Sequence, residues 1–211
     1  MTKPKLLDLY CCEGGASMGY YKAGFEVTGV DIHPQPNYPF NFILADALTV
    51  DLSGYDCFHA SPPCYKNTWS ARRWIKGEVA YDKEDRVAET RSLLALTNKP
   101  FVIENTPGAE MSNYIRLKGT MFGIKVLRER WFELHGFEIL LLPSPVLPKK
   151  PIASGEYVTV AGHGGDSKDC RLSTWRSAMG NEWMSKKGLT QSLPWVYTEF
   201  IGKHLLNAIN S

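Results

Sequence analysis

Short apolar runs alternate with turn-rich or helix-like stretches through the first half of the chain, the succession expected when parallel strands are joined by crossover helices. KLLDLY (5–10) reads as a buried strand because its apolar positions are nearly continuous. EVTGVDI (26–32), NFILAD (41–46), YDCFHA (55–60) and PFVIEN (100–105) read as further strands, each ending in a polar or turn residue. GASMGYYKAGF (15–25) predicts a helix ending at Gly24, and Asp82 to Asn98 a second one, with an acidic first turn and Val87 and Ala88 recurring as Leu94 and Ala95. The pattern therefore predicts an α/β fold, a doubly wound sheet whose ligands lie beyond the carboxyl ends of the strands.

The second half is less regular. Pro143, Pro145, Pro148 and Pro151 break it, YVTVA (157–161) is another strand candidate, and AGHGGD (161–166) is a glycine-rich loop. PWVYTEFIGKHLLNAI (194–209) spaces Val196, Phe200, Ile201, Leu205 and Ile209 as one face of a helix expected to pack on the sheet. No domain boundary, internal repeat or low-complexity segment is evident. The chain is expected to be one domain over 1–211: a catalytic core over about 1–135, a short recognition or cap region over about 136–190, and the C-terminal helix.

Composition agrees with this picture. At 211 residues, 44% apolar and 22% charged, the chain has the make-up of an ordinary globular domain rather than a disordered or fibrous one. No run approaches the roughly 18 apolar residues of a membrane span, and MTKPKLLDLY passes straight into the first strand, so no membrane partner and a cytoplasmic location are expected. Cysteines 11, 12, 57, 64 and 170 form no CxxC pair and no disulfide framework, and no His or Cys pair has zinc-ligand spacing, so no metal is expected. The net charge of +2 announces no polyanion partner. Local clusters do exist: Arg72, Arg73 and Lys76 beside Trp69 and Trp74, and Lys118, Lys125, Arg128 and Arg130 further on. Each reads either as solvated surface charge or as a phosphate-binding patch.

Three segments concentrate chemistry at strand ends. The turn DLYCCEGGASMG lets backbone approach a ligand while the following helix offers its first amides, with Asp31 able to take ribose hydroxyls. The alternative is a tight turn without a ligand, and the absence of GxGxxG disfavours a nicotinamide dinucleotide. SPPC (61–64) fixes the backbone with two prolines and aims Cys64 into the crevice, where a thiol can act as nucleophile rather than as core filling. Glu104-Asn105 delivers a carboxyl group at the end of an apolar strand, where burial can raise its pKa enough to donate a proton.

The order DLYCCEGGASMGYYKAGF, SPPC, ENTP and RERWFEL (128–134) resembles the C5-cytosine methyltransferase family over most of residues 5–135. WRSAMGNEWM (175–184) and YTEFIGKHL (197–205) are similar to compact methylase-like proteins of bacteriophages. The resemblance implies a Rossmann-like sheet with a small irregular C-terminal addition, S-adenosylmethionine as cofactor and DNA as partner. Cys64 would attack C6 of cytosine, Glu104 would hold N3 and the 4-amino group, and Arg130, with Arg128 beside it, would serve the O2 edge or the loop. Leu9, Tyr10, Cys11, Gly14, Gly15, Asp31, Ile32, Asp46, Ala47 and Pro62 would line the cofactor site, Asp31 on the ribose and Asp46 near the adenine amino group.

The family's base flipping would draw on YKNTWSARRWIKGE (65–78) as a closing loop, with Arg72, Arg73 and Lys76 on phosphate. The chain departs from the family at Cys12, in place of glycine, and at Thr106, in place of valine; a Gly-Asn motif near Gln191 to Pro194 is absent. The stretch from Trp131 to Trp175 is too short for a target-recognition domain, which leaves a minimal loop over 161–171, with His163, Lys168 and Arg171 as contacts, or a separate specificity or partner subunit. The same chemistry on RNA or a free cytosine nucleotide, and a non-catalytic DNA-binding subunit, are the competing readings.

Overall fold

In the computed structural model, residues 2–63, 86–146, 155–160 and 171–210 are described. They build a seven-stranded sheet from β1 (Lys5–Leu9), β2 (Glu26–Asp31), β3 (Asn41–Leu44), β4 (Cys57–Ala60), β5 (Phe101–Asn105), β6 (Tyr114–Leu117) and β7 (Arg130–His135), in the order β3-β2-β1-β4-β5-β7-β6. The first five strands are parallel, whereas β7 runs antiparallel to both β5 and β6. The helices are α1 (Gly15–Ala23), α2 (Val87–Ala95), α3 (Leu172–Met179), α4 (Lys186–Gln191) and α5 (Trp195–Ile209). Strand order reverses between β1 and β4, which puts the switch-point crevice at the carboxyl ends of β1, β2, β4 and β5.

Both faces of the sheet are covered, which is why its strands read as continuous apolar runs. On one face Leu6, Val27, Cys57, Val102 and Phe132 meet Tyr20 and Phe25 and the α5 residues Tyr197, Ile201 and Leu205. On the other, Leu7, Leu9, Val30, Phe58 and Ile103 meet Val87 and Leu94 of α2. A third cluster joins Val126, Val158 and Val160 to Trp175, Met179, Met184 and Leu189.

Helix α1 stops at Ala23 because Gly24, at φ 118°, closes it by donating to the carbonyls of Tyr20 and Tyr21. Its small residues let α5 approach backbone to backbone. A Cβ on Gly19 would stand 2.1 Å from the Thr198 Oγ1 and 2.2 Å from the Trp195 carbonyl, and Thr198 donates to the Ala16 carbonyl at 2.9 Å.

One expectation is corrected. The strand expected over 157–161 reduces to one isolated bridge, Val126 to Val158, among the described residues, because the chain there packs onto α3 and α4 rather than onto the sheet. The irregular second half also hides the antiparallel pair β6 and β7, which completes the sheet. The helix expected from Asp82 is described only over Val87–Ala95.

Candidate active site

At the switch point lies a cavity of about 390 Å³. The turn after β1 lines one side and is bent by residues in left-handed backbone conformations: Tyr10 at φ 60°, Cys12 at 46° and Gly14 at 84°. That path brings the Cys12 amide to within 3.1 Å of the Asp31 carboxylate, whose other oxygen accepts from the His33 amide at 2.9 Å. Asp31 is thereby fixed at the rim, and the neighbouring Ile32 leaves 59% of its surface exposed beside it. The start of α1, at Gly15 and Ala16, also lines the cavity.

The opposite end is built from β4, β5 and β7. Glu104 stands one residue before the end of β5, only 7% exposed, and Arg130 Nε of β7 lies 2.8 Å from its Oε1. No aligned hydrogen bond from the described residues reaches that oxygen. Burial raises the Glu104 pKa above the usual carboxylate range, while the charges of Arg130 and Arg128 and a hydrogen bond from Ser61 pull it down less strongly. Next in the strand, Asn105 donates to the Pro62 carbonyl at 2.9 Å, which pins the Ser-Pro-Pro segment against β5. Pro62 and Pro63 line the cavity, and Pro63 immediately precedes Cys64 in the chain.

The cavity thus collects Tyr10, Cys11, Gly15, Asp31, Ile32, Pro62, Glu104 and Arg130 from the expected set. Leu9 and Ala47 are instead buried in the core beside α2. Gly14 shapes the turn without reaching the lining, and Asp46 is engaged by the Leu48 amide at 3.0 Å and by Arg86 at 3.4 Å. Arg128 is buried, and its guanidinium donates to the carbonyls of Val160 and Thr190, tying the segment before β7 to the chain at Val160 and to α4. Arg171 is exposed at the start of α3. Cys64, Arg72, Arg73, Lys76, His163 and Lys168 lie outside the described residues.

The sequence reading missed several residues of this site. Asp8 sits on the cavity floor within an apolar strand, wholly buried, with its pKa pushed up to about 7 chiefly by burial despite a hydrogen bond from Ser17. Thr190 to Leu193 form a wall although they carry no Gly-Asn motif; the signal lay in Gly15, whose absent side chain admits Ser192 Oγ to 1.8 Å from where a Cβ would stand. Among the described cysteines, burial raises the thiol pKa of Cys11, Cys12 and Cys57, that of Cys12 to about 12, so none is a ready thiolate. No group of three His, Cys, Asp or Glu among the described residues could hold a metal ion, and none of the described helices is long and apolar enough to cross a membrane.

No protein-family model and no curated protein matches the sequence. Solved structures do match. A protein described as a DNA modification methyltransferase encoded within an E. coli prophage aligns at a TM-score of 0.69 and 14% identity, over 99% of this chain and all of that one. The Entamoeba histolytica methyltransferase EhMeth aligns at 0.67 and 13% over the whole of both chains. The S. pombe Dnmt2 methyltransferase aligns at 0.65 and 15%, over 99% of this chain and all of that one. The chain has the Rossmann-like α/β fold of these methyltransferases.

Proposed function

We propose that the protein transfers a methyl group from S-adenosylmethionine to C5 of cytosine in DNA. One observation carries this reading: Glu104, paired with Arg130, shares a cavity with Asp31, the turn after β1 and Pro63, which is next in the chain to Cys64. The description of the prophage neighbour supports DNA as the substrate.

The residues present fit the cofactor. Both oxygens of Asp31 are held by amides yet keep lone pairs for ribose hydroxyls, Ile32 offers an exposed apolar surface to a flat base, and the first turn of α1 lines the cavity at Gly15 and Ala16. The volume falls within the usual range for small-molecule sites. S-adenosylmethionine, when bound, supplies a methyl group on an electrophilic sulfonium.

The Cys64 thiolate forms a bond to C6 of cytosine, and the electron pair of the C5–C6 double bond moves into the ring, making C5 nucleophilic. The buried carboxyl of Glu104, its pKa raised by burial, hydrogen-bonds N3 and the 4-amino group and so compensates the charge that develops on the ring. Arg130 holds that carboxyl in place. After C5 is methylated, a base, water for instance, takes the C5 proton, the C5–H electron pair re-forms the C5–C6 double bond, and the C6–S bond breaks with its pair leaving on the Cys64 thiolate.

Incubation with labelled S-adenosylmethionine and double-stranded DNA, single-stranded DNA or RNA, followed by nucleoside analysis, tests the reading. Label is expected on 5-methylcytosine from DNA, absent with Cys64→Ala and reduced on the order of 10²- to 10⁴-fold with Glu104→Gln. Transfer to RNA alone would change the substrate and keep the chemistry. No transfer to any of them would leave the DNA-binding subunit as the standing alternative.

A further inference from the structure

Behind Glu104 runs a buried line of polar groups that the proposed reaction does not use. Tyr20 and His59 are wholly inaccessible. The Tyr20 hydroxyl lies 3.0 Å from His59 Nδ1 and His59 Nε2 lies 3.1 Å from Ser61 Oγ, while Ser61 lines the same cavity as Glu104 and lowers its pKa through its side chain. A histidine in the middle of β4, between Asp8 of β1 and Val102 of β5, is costly unless both ring nitrogens are satisfied.

The order of donors follows from satisfaction alone. Among the described residues the Tyr20 hydroxyl has no other hydrogen-bond partner than Nδ1. If it accepted from Nδ1–H, its own proton would be buried without an acceptor. It therefore donates to Nδ1, the ring carries its proton on Nε2, and Nε2–H donates to Ser61 Oγ. Ser61, accepting from the ring, then has its own proton free for Glu104. Burial holds His59 neutral, with its pKa down to about 3, so the arrangement persists throughout the working pH range.

We propose that His59, set by Tyr20, is a positioning residue that makes Ser61 an obligatory donor to Glu104 and so orients the carboxyl that faces the base. The inference rests on the base-binding role given to Glu104 above, but the hydrogen-bond line can be tested without any methyl transfer. Other charged or titratable groups that act on Glu104 are Arg130 of β7, Arg128 just before it, Asp8 of β1, Cys12 of the following turn, Tyr20 of α1 and Tyr197 of α5. None of them replaces a neutral donor at the Ser61 position.

The test uses the full chain, with ¹⁵N-labelled histidine to read the tautomer of His59 and ¹³C-carboxyl glutamate to titrate Glu104, its resonance identified by loss in Glu104→Gln. The wild type is expected to show the Nε2–H tautomer. Tyr20→Phe, which removes one oxygen from a site that keeps its ring, is expected to release the tautomer and to shift the Glu104 titration upward by roughly half a unit, since a lost donor favours the protonated form. Ser61→Ala is expected to shift it at least as far, and the double variant no further than Ser61→Ala alone.

A Glu104 titration that moves with Ser61→Ala but not with Tyr20→Phe would overturn the role of His59, as would an Nδ1–H tautomer in the wild type. If the titrations behave as expected while no nucleic acid is methylated, the positioning line stands and the assigned reaction fails. If methylation occurs, the alkaline limb of its pH profile is expected to move with the Glu104 titration in each variant.

Discussion

Arg130 Nε stands 2.8 Å from Glu104 Oε1, and the two side chains are only 13% and 9% exposed. The pair is unequal in its effect on the carboxyl, because burial raises the Glu104 pKa more than the guanidinium lowers it. Arg130→Met is therefore expected to raise it further, which ¹³C carboxyl titration would show directly. Loss of one partner from a buried pair costs roughly 3–5 kcal/mol when the other stays charged. Glu104 can take up a proton instead, so urea denaturation should show a destabilisation that is small near pH 5 and grows toward pH 8. A loss of stability independent of pH would mean that Arg130 contributes packing alone.

Asp8 makes the second titratable prediction. Its pKa is raised from 3.8 to about 7, so the folded state binds a proton that the unfolded state has released. The sign follows: the associated stability is fully present below about pH 4 and is lost as pH rises through about 7. A shift of this size corresponds to roughly 4 kcal/mol. Asp8→Asn keeps the shape and cannot ionise, so the difference in unfolding free energy between variant and wild type is expected to widen in favour of Asn between pH 4 and pH 7. A difference that stays flat across that range would place the Asp8 titration in its ordinary range.

Asp8 also shows how far the sequence can be read. The parallel strands were legible because both of their faces are buried, and their carboxyl ends brought Asp31, Pro62 and Glu104 to the cavity. Asp8 itself, flanked by Leu7 and Leu9, looked like an interruption in a core strand, because nothing local reveals that Ser17, itself bonded to Tyr38, waits for it nine residues away. Thr190 to Leu193 were illegible for a similar reason: their place is set by what Gly15 lacks, a contact between opposite ends of the chain. Arg128 and Arg130 stand two apart in one motif, yet one is spent on the backbone carbonyls of Val160 and Thr190 and the other faces Glu104. Spacing put both near the site, and only tertiary packing divides their roles.

The contact between α1 and α5 predicts a stability effect without change in chemistry. Adding a methyl at Gly19 meets Thr198 Oγ1, the Trp195 carbonyl and the Glu199 amide, two of them backbone atoms that cannot turn aside. Gly19→Ala gains helix propensity worth roughly 1 kcal/mol but must push the helices apart, at a typical cost of roughly 1–3 kcal/mol. The net effect is expected to be destabilising, lowering Tm by several degrees in a calorimetric scan. A raised Tm would mean that α5 can shift outward without loss.

The last prediction joins the turn after β1 to the wall across the cavity. Glu13 is 8% exposed, and its carboxylate accepts from the Ser185 amide at 2.7 Å and the Ser185 hydroxyl at 2.5 Å, while its carbonyl accepts from Trp183 Nε1 at 2.7 Å. Ser185 also accepts from the Gly188 amide at 3.0 Å, so one serine starts α4 and anchors the turn together. A Cβ on Gly188 would stand 2.2 Å from Glu13 Oε2. Glu13→Gln brings an NH₂ group against a donor, and Gly188→Ala displaces the carboxylate, each at a cost of roughly 1–3 kcal/mol. Because α4 leads into Gln191 to Leu193, both variants are expected to weaken binding of S-adenosylhomocysteine, measured by calorimetry, roughly tenfold or more. The double variant should lose little beyond either single one, since both changes break the same contact. Two losses that simply add would show that Gly188 acts on the cavity wall independently of Glu13.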